Sequence, residues 1–146
     1  MRFEPILILV ILALPVCSAA GDSYLSVSDM TMVLNGPDAV FQVNYSLDAL
    51  ARIYVLALGC GFIEPDLVSL LDGYGDVAMV SANPSSASLL VKNAGDLVDG
   101  YSLFNSMPIK VRVARFTVVY PGGLSRTFYN LNATPNVFCE AKNVSV

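Results

Sequence analysis

Residues 41–47 alternate strictly. Phe41, Val43, Tyr45 and Leu47 fall on one side, and Gln42, Asn44 and Ser46 on the other. A period of two over seven residues predicts a strand with one buried face. Tyr24–Leu34 alternates more loosely and ends on Asn35-Gly36-Pro37, a turn signal, so it is read as an earlier strand. Asp48 then stands where a helix cap is wanted, ahead of Ala49–Leu58. That stretch is apolar nearly all round, so as a helix it is expected to be buried. Ile53-Tyr54-Val55 would equally suit a strand, and periodicity does not decide between the two. A second helix is marked by Pro65 near its start, by Glu64 and Asp66 at its positive end, and by Gly73 as its stop. Leu67, Leu70 and Leu71 form its apolar face.

Beyond Tyr74-Gly75 the pattern returns to strands. Residues 77–82 and 86–92 flank Asn83-Pro84-Ser85 and read as a hairpin. Residues 93–108 look irregular, with Gly95, Gly100 and Pro108. Residues 109–120 and 125–131 flank Pro121-Gly122-Gly123 as a longer hairpin. Ile109, Val111 and Val113 share one phase, whereas Phe116, Val118 and Tyr120 share the other. A bulge near Ala114 would reconcile them, and so would a strand covered on both faces. The expected fold class is α+β: a mostly antiparallel sheet with a helix pair packed on one face.

The first twenty residues change this picture. Ile6–Val16 is an apolar run behind Arg2, too short for a span of about twenty residues, and Ser18-Ala19-Ala20 offers small residues for cleavage. Residues 1–20 are therefore expected to be a signal peptide, with 21–146 as a single exported domain. An uncleaved anchor is one alternative. Lipidation at Cys17 is another, although Val16 is a poor residue to precede it. No later run is long enough to span a bilayer.

The net charge of −4 argues against a nucleic-acid partner. The absence of histidine excludes Ser-His-Asp catalysis and His-based zinc sites. Once Cys17 leaves with the leader, Cys60 and Cys139 remain, and an even pair in an exported chain is expected to form a disulfide. The nucleophile reading of Gly59-Cys60-Gly61 lacks its usual base. No phosphate-loop or dinucleotide-binding pattern occurs, and no cofactor or metal is expected.

The segment "YSLDALARIYVLALG" running into "IEPDLVSLL" resembles small exported proteins of methanogen-type archaea that carry no assigned function. The likeness covers mainly Tyr45 to Leu71 and contains no catalytic signature. It implies an archaeal envelope setting and no mechanism.

Several surface features remain. Asn44, Asn132 and Asn143 head glycosylation sequons, whereas proline excludes Asn83-Pro84-Ser85. Lys110, Arg112, Arg115 and Arg126 concentrate on one hairpin and could dock an acidic partner, against the plainer reading of a solvated strand face. Asp96 and Asp99, with Asp22 or Asp29, have the oxygens for calcium but not the spacing, so turn formation explains them better. Arg52 is a lone charge in an apolar stretch and is expected to pair internally or to snorkel. The resulting expectation is a non-enzymatic structural or interaction domain, extracellular or at the cell surface. Its partner would be an envelope protein, a surface polymer or itself, and a membrane only if the N-terminal segment is retained. The alternative is a small module binding an apolar ligand.

Overall fold

The structure is a computed structural model that describes residues 24–141. The expected leader and Asn143 lie outside the described residues. Strands dominate and helices are few, more so than the α+β expectation. The strands are β1 (Leu25–Asn35), β2 (Asp38–Leu47), β3 (Val77–Ala82), β4 (Ser86–Val91), β5 (Asp96–Val98), β6 (Tyr101–Phe104), β7 (Pro108–Val119), β8 (Ser125–Ala133) and β9 (Val137–Glu140). Between β2 and β3 come helix α1 (Ala49–Leu58), a 3-10 turn (Cys60–Phe62) and helix α2 (Glu64–Ser69).

A six-stranded sheet has the order β3-β4-β2-β1-β7-β8, and a three-stranded sheet has the order β5-β6-β9. The large sheet is mixed: β1 runs parallel to β7, and the other neighbours are antiparallel. The β1–β2 register sets Met30 against Val43, Met32 against Phe41 and Leu34 against Ala39, all six buried. The alternate residues Thr31, Gln42 and Asn44 point to the other face.

The loose alternation of β1 has a physical cause. Its register shifts between Val27 and Asp29, so Ser28 is an extra residue, and its hydroxyl bonds the Asn44 carbonyl at 3.2 Å. Leu25 and Val27 on one side of this bulge, and Met30, Met32 and Leu34 on the other, thereby all reach the core. In β7 the buried phase changes at the exposed pair Ala114–Arg115, as the sequence requires. The register shift itself falls earlier, between Pro108 and Val113. Asn130 on the facing strand takes a left-handed φ of 55°.

One hydrophobic cluster unites the inner face of the large sheet with Ala51, Val55, Ile63, Leu67, Leu70, Leu71 and Tyr74 from the helical segment and with Phe104 and Val137 from the small sheet. Phe41 lies at its centre, with ring contacts to Tyr74 at 5.6 Å and to Phe116 at 6.5 Å. Thr134, 1% exposed, ties the layers together. Its hydroxyl oxygen accepts from the Tyr74 hydroxyl at 3.1 Å and from the Met107 amide at 2.8 Å. The stretch 93–108, read as irregular, in fact holds β5 and β6, which join through Asp99-Gly100 with φ of 49° and 83°. Two positive φ values in a two-residue connection are those of a tight hairpin turn.

Gly95 shows how closely the small sheet is seated. A Cβ there would lie 2.8 Å from the Leu103 carbonyl oxygen and 2.9 Å from the Phe104 ring. Gly95→Ala is expected to lower stability by about 1–3 kcal/mol in urea unfolding, the usual range for overpacking. Gly75→Ala meets open space and should stay within about 0.5 kcal/mol of the parent.

Candidate functional site

Helix α1 forms where the sequence places it. The Asp48 carboxylate accepts from the Ala51 amide at 2.8 Å, and the helix ends at Gly59, whose φ of 86° suits glycine. Its expected burial is overturned. Only Ala51 and Val55 are buried, while Leu50, Ile53, Leu56 and Leu58 are each more than 60% exposed. The inner side of the helix needs small residues to approach the sheet, and Ile63 before α2, Leu67 within it and Leu70 and Leu71 after it take up the neighbouring part of the core. The outer side is left apolar with none of the other described residues packed upon it. Tyr54 stacks on Phe62 at 5.3 Å and 23°, and both are more than 40% exposed. Tyr24, Asp48, Leu50, Ala51, Tyr54 and Phe62 enclose an apolar cleft of about 160 Å³. Arg52 is exposed on the flank of the helix, and among the described residues it forms no ion pair.

Two further surfaces are concave. On the outer face of the large sheet, Asp29, Asn44, Arg115, Thr117, Thr127 and Tyr129 line a polar groove of about 270 Å³. Asp29 and Arg115 pair there at 2.6 Å, and the hydroxyls of Thr117 and Thr127 meet at 3.2 Å. The groove's two charged side chains and two of its threonine hydroxyls are thus paired with each other. Over the small sheet, Val98, Asp99, Tyr101, Leu103 and Phe138 line an open apolar groove of about 410 Å³.

The predicted bridge is not formed. Cys60 and Cys139 are both free and partly buried: one lies in the 3-10 turn after α1, the other on β9 opposite Ser102. A disulfide needs α-carbons within about 7 Å, and the two cysteines belong to separate parts of the cluster. Burial pushes the Cys139 thiol up, away from thiolate. Neither cysteine has a histidine to activate it.

The four cations do not form one surface. Lys110 pairs with Asp72 at 2.9 Å and Arg115 with Asp29, while the Arg126 guanidinium sits 5.1 Å over the Phe128 ring. Arg126 stands opposite Val118, hence on the core side of the sheet, whereas Arg115 lies on the outer face. Arg112 is exposed. Asn44 lines the polar groove on a strand paired on both edges, and Asn132 is exposed on β8. The hydroxyl that completes the Asn132 sequon belongs to Thr134 and is buried in the bonds described above. Asp99 serves the β5–β6 turn, and among the described residues no cluster of three or more metal-ligating side chains occurs. No helix among them is long and apolar enough to cross a membrane.

Comparison with protein-family models, with curated proteins and with solved structures yields no match. The candidate site accordingly rests on geometry, and the outer face of α1 is its strongest element. Sequence reasoning missed that face because the helix and its burial were inferred from the same apolar residues.

The side chains beside this face can be tested directly. Thiol titration of the denatured chain without reductant should detect both Cys60 and Cys139. An intramolecular bridge, seen as a two-proton mass deficit, would contradict the structure. Tyr45 is 5% exposed and donates to the Asn83 carbonyl. Burial, with a smaller contribution from Cys60, pushes its phenol up to about 12. The unfolded phenol titrates at about 10, so between these values the native state holds the extra proton. Stability contributed by the neutral phenol is complete below about pH 10 and is lost as pH rises through about 12. Denaturant midpoints measured across that window should fall, and Tyr45→Phe should flatten the fall.

Proposed function

We propose that this chain is an exported cell-envelope domain that acts by contact and not by catalysis. The observation that carries the reading is the outer side of α1, where Leu50, Ile53 and Leu56 stand exposed side by side. Scattered exposed apolar residues are ordinary, but a contiguous face of them on one element marks an interaction surface. Export is supported by the apolar run Ile6–Val16 behind Arg2. Contact chemistry is supported by a sequence without histidine, so that neither thiol has an imidazole to activate it. The resemblance of Tyr45–Leu71 to small exported proteins of methanogen-type archaea supports an archaeal setting for that envelope. The domain presents α1 to another envelope component, be it a protein, a surface polymer or a copy of itself.

The ligand-binding alternative fares less well. The cleft beside α1, about 160 Å³, falls below the roughly 300–1,000 Å³ of small-molecule sites. The larger groove over the small sheet reaches that range but lacks the convergent polar groups that fix a ligand's orientation.

The test places a photo-crosslinking residue at Leu56 and, separately, at Tyr129 in the full chain, expressed in a host that exports it. External protease should reach the protein in intact cells, and position 56 should form adducts with envelope material while position 129 does not. A protein protected in the cytoplasm, or equal adducts from both positions, would refute the proposal.

A further inference from the structure

We infer that residues 1–20 stay attached as an anchor, the alternative to their cleavage, and that the outer face of α1 lies on the same lipid bilayer, so that the domain is held flat against the membrane. This rests on the envelope reading above and names the partner. The first argument is the arrangement around the helix. Successive residues turn by about 100°. With Ala51 and Val55 inward, Ile53 points directly outward, with Leu50, Leu56 and Ala57 around it. Arg52 and Tyr54 fall on opposite flanks, between the buried and outer sides. That is the order an interfacial helix presents: apolar side chains in the acyl region, with an arginine that can snorkel and a tyrosine at headgroup level.

The second argument is where the chain enters. The Tyr24 carbonyl accepts from the Asp48 amide at 3.0 Å, directly at the N-terminus of α1, and the Tyr24 side chain lines the same apolar cleft as Leu50, Tyr54 and Phe62. Between Tyr24 and the apolar run Ile6–Val16 lie only residues 17–23, which span at most about 25 Å when extended. When that run is retained in lipid, α1 is tethered within this distance of the same surface. Neither element suffices alone, since the run is too short to span and α1 too short to anchor, and stable attachment generally takes two such signals.

A second copy is a weaker occupant. The outer half of a ten-residue helix, about 15 Å long and about 10 Å across, offers on the order of 200 Å², whereas a stable interface buries about 800 Å² per partner. Charge specifies the kind of lipid. Asp48 borders the cleft and Asp66 accepts from the Tyr24 hydroxyl, against Arg52 alone. The attraction is therefore apolar and does not call for anionic headgroups.

The chain contains no tryptophan, so a single introduced one reports its own surroundings. Full-length Ile53→Trp and Tyr129→Trp variants, reconstituted with zwitterionic phosphatidylcholine vesicles carrying brominated acyl chains, should both float with the vesicles. The indole at position 53 should be blue-shifted and quenched severalfold more than the indole at position 129, most strongly by bromines at the shallow depth of about 5–10 Å. Adding Leu56→Asp to the Ile53→Trp chain should reduce that quenching while far-UV circular dichroism stays unchanged. An unquenched indole at position 53 in floated protein, equal quenching at the two positions, failure to float, or a lipid-free blue shift that grows with protein concentration would each overturn the inference. Crosslinking of Leu56 to an envelope protein, with the position-53 indole unquenched, would leave the envelope reading standing and remove the bilayer alone.

Discussion

Ser28 is one residue too many in β1, and much of the architecture depends on where that surplus is absorbed. Side chains alternate along a strand, so a chain that must present Leu25 and Val27 and then Met30, Met32 and Leu34 to the same core has to change phase between them. The bulge makes that change and turns Asp29 to the outer face. The neighbouring parallel strand changes phase at the matching level, across Ala114–Arg115. Asp29 and Arg115 form the first rung of the β1–β7 pairing, and their side chains meet at 2.6 Å. Because the Arg115 side chain is 60% exposed and that of Asp29 27%, water screens their attraction and it adds little to stability. Its use is in register: two strands that switch phase together keep Phe116 and Val118 on the side of Met30 and Met32.

With the inner face set, the covering layer is shared among unequal pieces. α2 and the residues after it supply Leu67, Leu70, Leu71 and Tyr74, and the small sheet supplies Phe104 and Val137. Thr134 joins the two halves of that layer by bonding both Tyr74 and Met107. Little inner area remains for α1, which approaches through Ala51 and Val55 alone. The exposure of Leu50, Ile53 and Leu56 is thus a consequence of how the rest of the layer is filled. Such exposure opposes solubility, and on physical grounds it is tolerated where something outside the chain covers it.

Much of the fold was legible in the residues. The strict alternation of 41–47, the cap at Asp48, Pro65 near the start of α2 and the turns at Gly36, Pro84 and Gly122 all carry local signals, and each element formed where its signal lay, except that α2 ends at Ser69, short of the Gly73 stop. β5, β6 and β9 were missed because strands of three or four residues have too few positions to show a period. Asp99-Gly100 was the signal available, a hairpin dipeptide inside a stretch read as irregular. The parallel β1–β7 contact is non-local and leaves no trace in either strand. The disulfide failed for a related reason: counting cysteines says nothing about where a fold puts them. The basic residues of the last hairpin were grouped by sequence spacing, but Arg126 stands opposite the buried Val118, on the other face of the sheet from Arg115.

The same geometry gives the domain two unlike sides. The outer face of the large sheet carries Asp29, Asn44, Thr117 and Thr127, whose polar groups are suited to water. α1 packs on the opposite face of that sheet, through side chains that belong to the common core. Its apolar surface is therefore separated from the polar one by the thickness of the protein. A body built this way has a preferred orientation at any boundary between water and an apolar phase, because turning it over would bury Asp29 and Arg115 and expose Leu50, Ile53 and Leu56 together. A chain entry fixed at Tyr24, beside the apolar side, favours that same orientation.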